Sequence, residues 1–452
     1  MLHASCFMQR DSMNVVLVGV AHSIGWGIRG NFGHEYGAMI PGALSALALC
    51  IALPWPFLRE RVALVGFAGA LGWSFGGSMS YGQLIGMTAR DGEAGYGFAM
   101  LGVIGFLWAL VGGAAVALAV RWSKADVAAF VPPLLWVFAA WAALDMVGAQ
   151  MPDGMSDRLS WWDTDWLGAL TALVAIVAYR LMRRTDAASS LMLWMAVGWW
   201  VGFLVLVVAL GWHMTPPRSD NWAGSVGMGV ALVAWLYRRG EHDVLRAALV
   251  TGCAGAIGFT VGQYVADTGR AFVPDLNWWS VMEQTFGFIA GAGLLIAVRR
   301  LLATASASAA EPDDAGPPWA DGVAVGFLLL AVPWLNIRKN PQTIWLRNDV
   351  VPERMGPFAI DTWFLFAFLL VALVVVLAIR AHLSHGLEVV PSSPLGRAQM
   401  LFLGVLWVMV LGNLSRYLPF PEGRLVTEGV IHVNAAIVSA MAILLPRLGE
   451  RS

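Results

Sequence analysis

The densest group of residues able to do chemistry lies between two apolar runs: Gly25-Trp26-Gly27-Ile28-Arg29-Gly30-Asn31-Phe32-Gly33-His34-Glu35-Tyr36-Gly37. Arginine presents a planar fork of donors that can clamp a carboxylate or phosphate in bidentate fashion, and His34 and Glu35 are groups that can carry a proton. The glycines break helical continuity, so this turn can hold Arg29, His34 and Glu35 in one pocket. In the plainer alternative, Arg29 pairs with Glu35 to satisfy a tight turn and does nothing else.

Further ionisable groups sit inside apolar stretches, where each costs a few kcal/mol by insertion scales and so calls for a reason. Glu283 and Gln284 follow Asn277-Trp278-Trp279 and precede the apolar run Phe286 to Val298. At 1.5 Å rise per residue, Glu283 is expected about a turn inside the hydrocarbon edge, either paired with an arginine of another span or coupling a proton or ion. Glu428 and His432 stand four apart on one helical face, with Asn413 and Arg416 shortly before them. That spacing also suits two ligands of a metal, but no third ligand accompanies them, and neither a metal nor a cofactor is expected. Gln83, in the glycine- and serine-rich stretch Ser74 to Arg90, is a candidate ligand contact; the small residues there equally serve close helix packing. Asp145, near the end of a span, reads either as a further candidate or as an interfacial acid reaching for water.

These residues must be positioned by membrane helices. The 452-residue chain is 58% hydrophobic and 13% charged, against about a quarter charged in soluble domains, with a formal net charge of −1. That balance excludes a soluble globule and offers no basic field for nucleic acid. Cys6, Cys50 and Cys253 show neither metal-ligand spacing nor a disulfide framework. No cleavable leader is evident before Met13, which could itself be the start, so the first span is expected to be retained. Runs of the length needed to cross about 30 Å of hydrocarbon predict an all-α polytopic membrane protein of about 14 transmembrane helices.

The chain also contains itself twice. Gly69-Ala70-Leu71-Gly72-Trp73-Ser74-Phe75-Gly76 returns as Gly255-Ala256-Ile257-Gly258-Phe259-Thr260-Val261-Gly262, and Gly25-Trp26 as Gly211-Trp212, both displaced by 186 positions. Leu170 to Arg180 resembles Leu370 to Arg380 at a displacement of 200, the difference accommodated by the polar stretch Ala303 to Pro318, which reads as a flexible linker. The expected organisation is a first six-helix repeat over 1–187, a second over 188–385, and two additional helices over 386–452. An even number of spans separates the copies, which makes them parallel repeats about an axis along the membrane normal.

Basic clusters at Arg59/Arg61, Arg121/Lys124, Arg180/Arg183/Arg184, Arg238/Arg239/Arg246, Arg299/Arg300, Arg380/Arg397 and Arg447/Arg451 fall in every second connection. By the positive-inside rule both termini face the cytoplasm. The arginine-rich, lysine-poor composition points to a bacterial inner membrane. The connection from Asn336 to Phe358, with Arg338, Lys339, Arg347 and Arg354 on the other side, is the exception.

Two six-span halves joined by a cytoplasmic linker resemble the major facilitator architecture in outline. However, Pro54 to Val62 (PWPFLRERV) lacks that family's Gly-x-x-x-Asp-Arg-x-Gly-Arg-Arg type signature, and the chain is not assigned to it. Arg29 to Gly37 is similar to the Arg-x-Gly-Asn-Phe-x-Asn-x-Glu stretch of prolipoprotein diacylglyceryl transferases, one residue shorter between Phe and Glu and without a His-Gly-Gly partner motif. The leading expectation is a secondary transporter of a small polar or anionic solute, its site in the outer half of the membrane between the repeats. Arg29, His34, Glu35, Gln83 and Gln284 would bind the solute, and Glu283, Glu428 and His432 would couple a proton or ion. The alternative is a membrane-embedded transferase acting on a lipid-linked substrate at the outer face. Beyond the solute, the expected partner is membrane lipid.

Overall fold

A computed structural model describes residues 2–76, 79, 81–148, 150, 155, 159, 161–183, 185–215, 220–305, 316–385, 390–417 and 425–449; the side chains of 2–10, 35, 305, 379, 382–385, 425–427 and 447–449 lie outside it. The carboxylate of Glu35 and residues 306–315 of the expected linker are therefore outside the described residues.

The described chain is almost wholly helical, as it must be where no water can satisfy backbone groups. In order it runs α1 (Leu2–Arg29), α2 (Glu35–Ala52), the short α3 (Pro56–Glu60), α4 (Val62–Phe75), α5 (Gly82–Thr88), α6 (Ala94–Arg121), α7 (Lys124–Ala128), α8 (Val131–Gly148), α9 (Trp166–Met182) and α10 (Ala187–Phe203). It continues with α11 (Asn221–Arg238), α12 (His242–Arg270), α13 (Trp278–Ala305), α14 (Ala320–Gly326), α15 (Val332–Ile337), α16 (Ile360–His385), α17 (Pro394–Tyr417) and α18 (Leu425–Gly449). A two-stranded antiparallel ribbon, Arg354–Met355 with Phe358–Ala359, precedes α16. Among the described residues, nine helical stretches are long and apolar enough to cross a membrane, and Tyr36–Ala52, Val62–Phe75 and Trp166–Met182 are shorter apolar helices. This is an all-α membrane protein.

Six helices close a ring. α1 packs on α2, α2 on α4, α4 on α6, α6 on α12, α12 on α13, and α13 back on α1. Helices pack in lipid through close backbone approach rather than a hydrophobic drive, and small residues stand at each of these contacts. A Cβ added to Gly25 would lie 2.3 Å from Pro41 Cα, one on Gly69 would lie 2.4 Å from the Gly42 carbonyl, and one on Gly105 would lie 2.4 Å from the Gly255 carbonyl. Gly72 meets Ala115 of α6, Gly258 meets Phe286 of α13, and Gly287 of α13 meets Ser23 of α1. The remaining helices flank the ring: α10 pairs with α11, α8 with α9, α17 lies on α2, and α18 on α1. The stretch from α14 to Trp345 is discontinuous, with π-helical segments at Phe327–Ala331 and Asn340–Trp345 on either side of α15. π segments insert a residue into the helical ladder and recur at functional sites.

The ring interior is aromatic. Trp26, Trp73, Trp108, Tyr81, Phe259 and Phe286 are buried there, and Trp26 meets Trp108 and Phe286 edge-on at 4.9 and 4.4 Å between centroids.

The close crossing of α2 and α4 yields a direct test. Gly69→Leu must push the two backbones apart and is expected to destabilise the protein by about 1–3 kcal/mol, the usual range for overpacking. Gly86→Leu, where an added Cβ meets nothing within 4 Å, should leave the midpoint of thermal unfolding in detergent unchanged.

Candidate functional site

The chain leaves α1 at Arg29 and turns into α2 through Gly33, whose φ of 98° is left-handed and open to glycine at no steric cost. Gly30 has a different task. A Cβ there would lie 2.5 Å from Glu283 Oε2, so its absence lets the α13 carboxylate reach the end of α1. A Cβ on Gly37 would meet the Arg29 carbonyl at 2.7 Å, so the start of α2 lies directly against the end of α1.

The Arg29 side chain enters the ring interior. Its guanidinium carbon stands 4.8 Å from the Trp108 ring centroid, 5.1 Å from that of Trp26 and 5.3 Å from that of Tyr81, close enough for cation–π attraction from all three. Nη1 donates to Glu283 Oε1 at 2.8 Å and also to the Tyr81 hydroxyl, which in turn donates to the same carboxylate oxygen at 2.5 Å. Nη2 meets His34 Nδ1 at 2.5 Å. Partial burial, then the positive charges of Arg29 and Lys339, hold His34 below its ordinary range. The neutral ring can therefore accept at Nδ1 from Arg29. Arg29, Glu283 and Tyr81 are all buried, so an ion pair and a phenol share one desolvated site. Trp279 stacks on Tyr81, their centroids 5.4 Å apart.

Beneath this pair the ring holds His22. The Pro41 carbonyl can only accept, so His22 Nδ1 donates to it at 2.9 Å and Nε2 accepts from the Trp26 indole N–H at 3.0 Å. Both ring nitrogens are satisfied by the neutral tautomer.

A second polar chain runs from the turn to the C-terminal helices. Asn31 Nδ2 donates to Asn413 Oδ1 at 2.8 Å, and Asn413 Nδ2 to Glu428 Oε2 at 2.5 Å. The Tyr417 hydroxyl donates to Asn31 Oδ1. Lys339, from the basic connection that stood out in the sequence, donates to the Phe32 carbonyl just past the end of α1 and lies 5.7 Å from the Tyr36 ring centroid. At least one charge of that connection therefore serves a helix end, where cations are favoured.

The two systems meet at a polar cavity of about 380 Å³ between the ends of α1, α13 and α18. Glu283, Glu428, Asp275, Asn31, Asn277 and Ser280 contribute to its wall, and among the described residues no basic side chain does. The structure thus brings together Arg29, His34 and Glu283, and places Glu283 and Glu428 on one cavity. Arg29 lies behind Glu283 rather than on the wall. Gln284 supports that wall, donating to Ser280 Oγ at 3.1 Å with its side chain packed on Gly27. His432 Nδ1 donates to the Glu428 backbone carbonyl at 2.6 Å, within its own helix, and does not line the cavity. Gln83 is exposed on α5, apart from the cluster. Between α5 and α12 a separate knot forms: Gln263 Nε2 donates to Thr88 Oγ1 and to Asp267 Oδ1, while Thr88 Oγ1 donates to Asp267 Oδ2.

Sequence reasoning did not single out Tyr81, Asp275, Ser280 or His22 as members of the site. His22 carried a usable signal, an ionisable residue in an apolar span one helical turn before a tryptophan. Tyr81 carried none, because its neighbours come from α1 and α13.

Compared with known proteins, the chain matches no family model, no curated protein sequence and no solved structure.

Removing one partner of a buried ion pair costs about 3–5 kcal/mol, whereas apolar replacement of both can be neutral. Arg29→Met and Glu283→Met should therefore each lower thermal stability in detergent sharply, and the double variant Arg29→Met/Glu283→Met should recover much of the loss. Additive losses would show that the two side chains do not interact.

Proposed function

We propose that this protein is a secondary transporter of a small polar or anionic solute, with Glu283 and Glu428 as its coupling acids. The observation that carries the reading is the polar cavity with two buried carboxylates on its wall, one from each of two separate helices, inside a membrane protein. Buried intramembrane acids are costly and mark ion pathways and proton relays. In the proposed cycle Glu283 holds Arg29 while the site is empty. Protonation of Glu283 discharges the carboxylate and frees the Arg29 guanidinium to attract an anionic solute, which makes solute entry depend on a proton. Glu428, hydrogen-bonded through Asn413 and Asn31 to the same turn, is the second protonation site.

The architecture in this proposal has fourteen spans, arranged as parallel six-helix repeats over 1–187 and 188–385 and two further helices over 386–452. Its setting is a bacterial inner membrane with both termini cytoplasmic. Support comes from the nine long apolar helices and three shorter ones, with α1 and α11 completing the number. Further support comes from Gly72 and Gly258, equivalent in the duplicated motif. Each faces the next long helix of the chain, α6 and α13 respectively. The discontinuous stretch from α14 to Trp345 is the kind of broken helix that transporters use beside a substrate site.

Purified protein screened for thermal stabilisation by small carboxylates, phosphates, sugars and amino acids should identify a solute, which is then followed into proteoliposomes. An inward proton gradient should drive its accumulation in the wild type. Glu283→Gln should abolish accumulation while leaving exchange of solute across the membrane. Accumulation that survives in Glu283→Gln would refute the coupling role. Stabilisation by lipid-linked sugars alone would favour a membrane-embedded transferase instead.

A further inference from the structure

A second cavity, of about 930 Å³, lies between the ring and the flanking helices, and it shares no wall residue with the cavity at Glu283. Its walls come chiefly from α4, α6, α8, α9, α10 and α11. α6 gives it only aliphatic residues, from Val111 to Ala119, and α10 only leucine, methionine, alanine and tryptophan, from Leu191 to Trp199. Carboxylate, amide and hydroxyl groups enter the wall near helix ends: Ser74 at the end of α4, Asp145 at the end of α8, Thr164 and Asp165 before α9, and Asn221 at the start of α11. Along α11 the lining runs from Asn221 to Leu232, about 16 Å at the helical rise, close to half of the roughly 30 Å of hydrocarbon in a bilayer.

The gap holds the α8–α9 pair off the ring. α8 packs on α9 and α9 on α10, but among the described residues neither α8 nor α9 packs closely on α4 or α6. The Trp141 indole ties α8 to α9 by donating to the Gly168 carbonyl at 2.9 Å, and its ring meets that of Phe75 across the gap at 6.0 Å between centroids. The ring helices touch one another through glycines. Here Phe67, Phe75, Phe138, Trp141 and Trp199 stand on the wall with open volume between them. An apolar cavity costs stability in proportion to its volume, and leaving one this large empty would cost more than the net stability of an ordinary domain. Water is no substitute, since a buried molecule needs about three polar partners and the aliphatic stretch of α6 offers none. On its other side α9 exposes Val174, so the hydrocarbon of the bilayer is the solvent next to the gap.

We propose that the acyl chains of one membrane phospholipid occupy this cavity as a fixed part of the structure, packing the α8–α9 pair onto the ring. The wall chemistry selects hydrocarbon, the depth matches one leaflet, and phospholipid is the hydrocarbon that surrounds the protein. Chains held between helices lose the freedom of chains at the outer surface, so this lipid exchanges slowly and outlasts detergent. The site is independent of the transport reading above, and its test involves no transport.

The test uses the full-length protein extracted from phospholipid membranes in dodecyl maltoside, with retained phospholipid measured against protein after extensive detergent washing. A single phospholipid per protein is expected to survive washing that strips the rest. Ala172→Trp on α9 and Ala196→Trp on α10 each fill the cavity and should lose that lipid, whereas Val174→Trp, on the exposed face of α9 and outside the wall, should keep it. Native mass spectrometry of the wild type, which needs no variant, should show one phospholipid adduct persisting at collision energies that remove all others. Wash-out of all phospholipid from the wild type, adducts lost without a persistent last one, or equal retention in the wild type and both filled variants would each overturn the proposal, as would a polyprenyl lipid or detergent alone in its place.

Discussion

The ion pair between Arg29 and Glu283 is buried, with Glu283 rather than Arg29 on the wall of the polar cavity, and much of the surrounding structure follows from that constraint. A guanidinium buried in an apolar bundle must be matched in charge and in hydrogen bonds, because the attraction gained at low dielectric repays desolvation only with good geometry. The carboxylate supplies the charge, Tyr81 bridges both groups, His34 takes the second nitrogen, and three aromatic faces surround the remainder. Each requirement reaches into a different element. Gly30 must lack a side chain for the carboxylate to enter, Gly37 must lack one for α2 to start against the arginine backbone, and the helix after α4 must break for Tyr81 to lie in the interior. The pair thereby ties α1, α13 and the α4–α5 break into one unit at one end of the ring.

The ring itself depends on small residues because lipid gives helices no hydrophobic reason to associate. Gly42 with Gly69 and Gly105 with Gly255 place carbonyls against glycine Cα atoms, contacts that any Cβ would open. The duplicated motif is used in two ways. Gly72 and Gly258 take corresponding neighbours, whereas Gly69 meets α2, the preceding apolar helix, and Gly255 meets α6, far earlier in the chain. On the proposed division at residue 187, four ring helices belong to the first part of the chain and two to the second, so residues at matching positions of the sequence motif, such as Trp73 and Phe259, meet different surroundings.

The two cavities divide the chemistry of the molecule. The smaller is walled by carboxylates, amides and a hydroxyl close to a buried cation; the larger is walled by hydrocarbon and aromatic rings, with its acids confined to one end.

By itself the sequence determined that this is a helical membrane protein, because apolar runs of membrane-spanning length admit one backbone solution in hydrocarbon. It also marked Arg29 and Glu283 as residues needing an explanation, since an ionisable group in an apolar run is conspicuous wherever it folds. The sequence left open which partner Arg29 takes, Glu35 six residues away or an acid of another span; the structure pairs it with Glu283, 254 positions distant. Gln83 and His432 looked equivalent to these by composition, yet one faces outward and the other bonds its own helix. Tyr81, Asn413 and Asp275 join the site only because α1, α13, α17 and α18 converge there. Local pattern is fixed by the solvent each segment must face. Which polar groups share a site is fixed by how helices cross, and that depends on contacts between residues far apart in the chain.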